Sequence, residues 1–212
     1  MDEYLTPLKT AFSEFTEKRS TFRSDIFLVE TETEVKARLE EVRKKYHDAR
    51  HHCWCYRLKN GLERYSDDGE PQGTAGQPML NVFQRENVTN VLCVVTRYFG
   101  GILLGAGGLT RAYARGAKDG LDAAGIAVNR LWSRVEIPCP YPLFERLKLL
   151  IASKEGRISD TAYAADVLVT AMFPAETVES FRLSLQELSA GGVGCEVTGQ
   201  EFFPAPRDEI KT

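Results

Sequence analysis

The chain has 212 residues, of which 43% are hydrophobic and 27% are charged, and its formal net charge is −3 at pH 7. This composition is typical of a globular protein with one large or two small domains, and it excludes fibrous and intrinsically disordered proteins. No apolar run approaches the roughly 20 residues of a membrane-spanning helix, and the acidic first four residues lack the basic start of a signal peptide. We therefore expect a cytoplasmic protein without a membrane partner.

Charge is distributed unevenly along the chain. Residues 1–135 carry 20 Lys and Arg against 18 Asp and Glu, a net charge of +2, whereas residues 136–212 carry 7 against 12, a net charge of −5. An average charge conceals such a distribution, so an anionic partner is expected on the N-terminal part of the chain.

The first part of the chain predicts a hairpin, a helix and a strand. Residues 10–30 contain two apolar segments separated by a turn at residues 18–20. In residues 33–46 the apolar positions share one helical face, and Thr31 with Glu34 predicts a capping box at the helix start. Residues 53–58 predict a strand, and a short helix over 77–85 is expected to begin near Pro78.

The uninterrupted apolar run at residues 91–95 predicts a central strand that is buried on both faces. A helix follows, with Arg111, Arg115 and Lys118 on its outer side. Its inner face consists mostly of small residues, which lets a helix lie close to a sheet. These residues are Leu109, Ala112, Tyr113, Gly116, Ala117, Gly120, Leu121 and Ala124.

Residues 134–204 predict a second domain. Their apolar pattern indicates strand, helix, strand, strand, helix, strand, which is the βαββαβ order of a ferredoxin-like fold. The first strand is expected at 135–139 and the last at 195–203, with a domain boundary at residues 129–133. The predicted domains are therefore 1–133 and 134–204, followed by a frayed tail at 205–212.

Two glycine-rich segments stand out, at residues 66–78 (Ser-Asp-Asp-Gly-Glu-Pro-Gln-Gly-Thr-Ala-Gly-Gln-Pro) and at residues 96–111. Dense glycines indicate positive φ angles or a close approach to a partner. The second segment follows a buried strand and opens a helix, with Arg97 and Arg111 at its ends, an arrangement that favours an anion. Nucleotide-binding motifs are absent, and a tight turn between strand and helix explains the glycines equally well.

Asp67, Asp68 and Glu70 in the first segment are of the type that holds Mg²⁺ or acts in acid–base chemistry. Their spacing is not that of an EF-hand, and the same residues occur in ordinary turns. A simpler interpretation pairs Asp67 or Asp68 with Arg97 or Arg111, which would fix the two segments together.

A short segment also contains zinc-ligand types, but no distant second pair of ligands accompanies it. If residues 53–55 are extended, both sulfurs face one side and belong to a core. The odd total of five cysteines favours reduced thiols over disulfides. We expect neither zinc nor another cofactor, and no Gly-x-Ser-x-Gly nucleophile is present. The zinc candidates are His47, His51, His52, Cys53 and Cys55.

Residues 49–54 (Ala-Arg-His-His-Cys-Trp), 66–80 and 94–113 resemble the IMPACT family, specifically its two-domain, YigZ-like bacterial members. The resemblance covers the N-terminal domain well, and the C-terminal domain agrees mainly in its order of elements. It implies an α+β protein, with an N-terminal domain of the ribosomal-protein-S-five domain-two type. The ferredoxin-like C-terminal domain is similar to the last domain of elongation factor G. Leu103 and Gln77 depart from basic residues of other members, which reduces the implied phosphate contacts.

We expect a translation-associated, non-enzymatic regulatory protein that binds RNA, the ribosome or a translation factor bound to the ribosome. Arg97 and Arg111 would contact phosphate, and Tyr98 would stack on a base or pack beneath it. Asp67, Asp68 and Glu70 would shape the loop. The alternative is an enzyme that acts on a phosphorylated small molecule through a metal held by Asp67 and Asp68. The sequence leaves the oligomeric state open. The predicted binding residues are Asp67, Asp68, Glu70, Gly73, Thr74, Arg97, Tyr98, Gly100, Gly101, Gly107, Gly108 and Arg111.

Overall fold

A computed structural model describes residues 3–206 of the chain as a mixed α+β protein. These residues form two compact units: the first contains residues 4–128 and 204–206, and the second contains residue 3 and residues 129–203. The strands are β1 (Tyr4–Pro7), β2 (Ala11–Glu17), β3 (Ser20–Leu28), β4 (His51–Arg57), β5 (Glu63–Ser66), β6 (Val91–Tyr98), β7 (Ile126–Cys139), β8 (Arg157–Tyr163), β9 (Val167–Pro174) and β10 (Glu196–Pro206). The helices are α1 (Glu32–Lys45), α2 (Gly76–Arg85), α3 (Ala106–Ala124), α4 (Phe144–Ser153) and α5 (Val178–Leu188). Within the described residues, every helix is too short or too polar to cross a membrane.

The first unit contains an antiparallel sheet of order β2-β3-β6-β4-β5. Strand β6 is central, as predicted, and its residues from Val91 to Val95 are fully buried. Helices α2 and α3 cover one face of the sheet and α1 covers the other. Burial on both faces explains why β6 is an unbroken apolar run rather than an alternating one.

The predicted hairpin, formed by β2 and β3, and the helix that follows it, α1, are confirmed. Glu17 pairs with Ser20, so Lys18 and Arg19 form a two-residue turn with φ angles of 45° and 64°, the positive values that match the strand twist. Thr31 caps α1 by accepting a hydrogen bond from the Glu34 N–H at 3.2 Å. The Glu34 carboxylate accepts in return from the N–H of residue 30, one position before the cap residue.

Helix α3 lies close to the sheet through its glycines. Its buried residues are the eight that the sequence predicts. A Cβ atom on Gly120 would lie 2.9 Å from Ile26 Cγ1, and one on Gly116 would lie 2.9 Å from Ser24 Oγ. Only a residue without a side chain allows this separation, because real Cβ atoms do not approach neighbours so closely.

The second unit has the predicted ferredoxin-like arrangement. Strands β7, β9 and β8 are neighbours in antiparallel pairing, and β10 pairs with β7. This gives the order β10-β7-β9-β8, in which each crossover helix connects two strands separated by a third. Residues of α4 and α5 pack on one face, around Phe173 and Phe181, whose ring centroids are 4.3 Å apart.

Two predicted strand limits, the start of β7 and the end of β10, are wrong. Strand β7 begins at Ile126 rather than at residue 135, so the residues expected to form the boundary lie inside a strand. The polar Asn129 and Ser133 in this part of β7 are buried, and Ser133 Oγ accepts a hydrogen bond from Gln200. Strand β10 continues to Pro206, so residues 205 and 206 are not a frayed tail. Residues 207–212 of the predicted tail lie outside the described part.

The division into domains 1–133 and 134–204 stays a prediction. The compact units meet in the sequence between residues 128 and 129, within β7. A continuous strand at the junction explains why no glycine- or proline-rich linker marks it.

We predict that Gly120→Val lowers the free energy of unfolding by about 1–3 kcal/mol, because the new side chain overpacks against Ile26. Ala123→Val on the exposed side of α3 is the matched control, since it adds the same branched side chain to the same helix. Denaturant unfolding measures both variants. Equal losses of stability would contradict the close packing of α3 on the sheet.

Candidate functional site at the glycine-rich loops

The second glycine-rich loop lies against the β2–β3 turn. A Cβ atom on Gly100 would fall 1.9 Å from the carbonyl oxygen of Arg19, so this position excludes every other residue. The Gly100 N–H donates to Ser20 Oγ at 3.2 Å. Gly101 follows with a φ angle of 84°, which lets the chain turn away from the hairpin toward α3.

A buried ion pair joins the first loop to the second. Arg97 Nη1 donates to Glu70 Oε1 at 2.8 Å, and the two side chains are only 6% and 4% exposed. Arg97 Nη2 also donates to Ser20 Oγ at 3.3 Å. The sequence predicted a link between the loops but assigned it to Asp67 or Asp68. Arg97 is therefore a structural residue beneath the surface, and its burial leaves it no access to a phosphate.

Tyr113 on α3 completes the buried network. Its hydroxyl donates to Glu70 Oε1 at 2.7 Å, so one carboxylate oxygen accepts from both α3 and the end of β6. Burial is the main cause that raises the pKa of Tyr113, and it likewise raises the pKa of the nearby Cys53 thiol. Both groups stay neutral at ordinary pH, which keeps Tyr113 a hydrogen-bond donor to Glu70.

Asp67 caps the N-terminus of helix α2, although it lies eight to nine residues before the capped N–H groups in the sequence. Its carboxylate accepts hydrogen bonds from the N–H groups of Gly73, Ala75 and Gly76, at 2.8, 3.0 and 2.9 Å. The residue before α2 is Ala75, which has no side-chain oxygen to cap the helix. A carboxylate at this end also interacts favourably with the helix dipole.

Asp68 fastens the first loop to β4. Its Oδ2 accepts from the His52 N–H at 2.7 Å, and its Oδ1 lies 3.6 Å from Arg43 Nη2. The loop is closed further by Thr74, whose hydroxyl donates to the carbonyl of Pro71 at 2.6 Å. The positive φ angle of 76° at Gly73 permits this turn.

The start of α3 is exposed and lacks acidic residues. Gly105 precedes the helix with a φ angle of 72°, and neither a side-chain cap nor an acidic residue occupies the first turn. Gly107 and Gly108 lie in that turn, and Arg111 is exposed one turn later. Arg111 has no ion-pair or hydrogen-bond partner within the described residues. The N–H groups and Arg111 together favour an anion.

Tyr98 lies on the face of the sheet that α1 covers, opposite to the face covered by α2 and α3. It packs against the α1 core, and its hydroxyl donates to Asp48 at 2.8 Å. Partial burial raises its pKa. The aromatic residue that the loop exposes is instead Phe99, which is 51% exposed, and Leu103 is 81% exposed.

The sequence missed two cations at this surface. Lys18 and Arg19 form the turn against which Gly100 packs, and both side chains are exposed without an ion-pair partner in the described chain. In the sequence, the only indication of these two cations as site residues is that they are adjacent in a two-residue hairpin turn. The tertiary fold is what brings this turn next to the second glycine-rich loop.

The structure places the metal candidates in other roles. Among residues 3–206, no group of three or more His, Cys, Asp or Glu is arranged to hold a metal ion. Cys53 and Cys55 share the core face covered by α2 and α3, as their alternation predicts. The carboxylates of Asp67 and Asp68 are occupied by protein donors.

These observations define an α+β protein in which a unit with a glycine-rich surface precedes a ferredoxin-like unit. Residues 18–121 match the Impact N-terminal domain, and residues 137–191 match a domain of unknown function, DUF1949. The IMPACT family member YigZ of Escherichia coli (strain K12) is 34% identical over 180 residues, covering 83% of this chain and 88% of the relative. The IMPACT family member of Haemophilus influenzae is 32% identical over 195 residues, covering 90% and 95%.

The chain belongs to the IMPACT family. A solved structure titled "Crystal structure of an hypothetical protein" superposes with a TM-score of 0.60 at 32% identity, covering 94% of this chain and 98% of that one. The similarity to eukaryotic members is confined to part of the chain. The protein IMPACT homolog of Dictyostelium discoideum is 42% identical over 96 residues, which cover 42% of this chain and 27% of that protein.

We predict that Glu70→Ala lowers the free energy of unfolding by about 3–5 kcal/mol, because it leaves the buried Arg97 without its counter-charge. Glu41→Ala is the matched control, since Glu41 pairs with Arg38 at the exposed surface, where such pairs contribute less than about 1 kcal/mol. Chemical denaturation measures both. If Glu70→Ala loses as little stability as Glu41→Ala, the ion pair between Arg97 and Glu70 does not stabilise the arrangement of the two glycine-rich loops.

Proposed function

We propose that this protein is a translation-associated regulatory protein that binds RNA, the ribosome or a ribosome-bound factor through the cationic loop face. We define the cationic loop face as the β2–β3 turn, the second glycine-rich loop and the first turns of α3. The observation that carries the proposal is the exposure of Lys18, Arg19 and Arg111 on this face, none with an ion-pair partner within the described residues. Unpaired cations around a helix N-terminus suit a phosphate-bearing partner.

The remaining chemistry of the cationic loop face supports a macromolecular partner. Phe99, Ile102 and Leu103 are 51%, 40% and 81% exposed. Apolar side chains in such a loop contact bases or a protein surface, whereas a free phosphorylated metabolite would need an enclosed polar site. The glycines support the same proposal, because they allow the backbone to approach a partner closely.

The resemblance to the IMPACT family also implies folds that recur among translation proteins. These are the ribosomal-protein-S-five domain-two type for the first unit and the ferredoxin-like fold for the second unit. The enzymatic alternative lacks a supporting observation. Its proposed metal ligands, Asp67 and Asp68, already accept hydrogen bonds from Gly73, Ala75, Gly76 and His52. A metal at either carboxylate would compete with the bonds that shape the first loop.

We predict that the triple variant Lys18→Gln, Arg19→Gln, Arg111→Gln folds normally and binds purified ribosomes and single-stranded RNA more weakly than the wild type. Each phosphate contact that is lost lowers the salt slope of binding by roughly 0.7–0.9. Co-sedimentation with ribosomes and fluorescence anisotropy with labelled RNA, each over a series of salt concentrations, measure the effect.

The matched control is Arg146→Gln, Lys148→Gln, Arg182→Gln, which removes the same charge from the helices of the second unit. We expect this control to retain wild-type affinity and slope. If the folded loop variant and the wild type bind alike at low salt, the partner site lies elsewhere on the molecule.

A further inference from the structure

A cavity of about 150 Å³ lies beside the cationic loop face, between the β2–β3 hairpin and the start of α3. Its apolar walls come from Phe15 and Leu104. Its charged lining consists of Glu17, Lys18, Arg111 and Arg115.

The lining carries an excess of positive charge. Three cations face one carboxylate, which leaves a net charge of +2 from these side chains. Lys18 and Arg111 have no ion-pair partner in the described chain, and Arg115 Nε forms an exposed pair with Asp119 at 3.2 Å. An exposed pair of this kind is weak, so Arg115 remains available to a stronger anionic partner.

The walls of the cavity are fixed by packing. The Phe15 ring stacks on the fully buried Phe22 at a centroid distance of 5.1 Å, and the guanidinium carbon of Arg115 lies 4.3 Å from the Phe15 centroid. Stacking on Phe15 orients Arg115, which reduces the entropy lost when it binds an anion. Gly108, in the first turn of α3, also lines the cavity, and its missing side chain leaves that turn open.

The size of the cavity limits its occupant. A volume of 150 Å³ equals the liquid volume of about five water molecules. Sites for whole small-molecule ligands enclose about 300–1,000 Å³. The cavity therefore accommodates one phosphate with its ester oxygen, whereas the rest of a nucleotide must lie outside it, on the cationic loop face.

We infer that this cavity binds the phosphate monoester at the 5′ end of an RNA strand, an inference that rests on the proposed function. A terminal monoester carries about −1.5 to −2 charges at pH 7, which complements the net +2 of the lining, whereas a phosphodiester within the strand carries about −1. The strand beyond the terminal phosphate would lie along Lys18, Arg19 and the exposed loop. Free inorganic phosphate has the same chemistry and is the other source of this group.

The test compares one short single-stranded RNA that carries either a 5′-phosphate or a 5′-hydroxyl, with binding to the full chain measured by fluorescence anisotropy. We expect the phosphorylated RNA to bind about tenfold more tightly, as befits hydrogen bonds to a charged group. Arg115→Gln should abolish this preference while retaining the affinity for the hydroxyl form. Lys118→Gln, on the same helix but outside the cavity lining, is the matched control and should keep the preference.

Equal affinity of the wild type for the two RNAs would overturn the inference and leave the proposed function intact. If neither RNA binds at low salt, the protein does not bind RNA. The terminal phosphate of RNA is then not the ligand of the cavity. A titration with inorganic phosphate against chloride at constant ionic strength, followed by nuclear magnetic resonance, then tests the cavity alone. Saturable shifts at Gly108 and Arg111 that Arg115→Gln removes would support phosphate binding in the cavity, and their absence would contradict it.

Discussion

The buried ion pair between Arg97 and Glu70 is the constraint on which the functional surface depends. It joins the end of the central strand to the first glycine-rich loop, and its partners Ser20 and Tyr113 extend the network to the hairpin and to α3. Removing two charges from water is costly, and the attraction between them offsets this cost only when the geometry is good and other donors assist. Glu70 Oε1 accepts from both Arg97 and Tyr113, which supplies that assistance. The network therefore specifies one arrangement of four chain segments.

Charged residues that are close together in the sequence have different roles, because some belong to the buried network and others lie at the surface. Arg97 and Arg111 flank the same loop, yet one lies in the core and the other is exposed. The acidic residues of the first loop are paired with Arg97, with Arg43 or with backbone N–H groups, which reduces their repulsion of an anionic partner. The outer surface is left with cations, glycines and exposed apolar side chains, a combination that matches a phosphate-bearing macromolecule.

Local patterns predicted most of the fold, because each element carries a strong periodic signal. The run at residues 91–95 identified the central strand, and small residues at helical spacing identified the buried face of α3. The start of β7 was missed, since the polar Asn129 and Ser133 indicate a loop unless their tertiary burial is known. At the site, the sequence identified the two loops, but it paired Arg97 or Arg111 with Asp67 or Asp68, whereas the partner of Arg97 is Glu70. The partner of Arg97 depends on how α3 and the hairpin meet, and no local pattern contains that information.

The buried network positions the cationic loop face, which we propose as the surface that binds the partner. Hydrogen–deuterium exchange of the full chain, with and without purified ribosomes, tests this proposal most directly, because it reports protection for each backbone segment. We expect added ribosomes to protect the β2–β3 turn and residues 99–108, with little change in α4 and α5. Protection confined to the ferredoxin-like unit, with an unchanged glycine-rich loop, would contradict it.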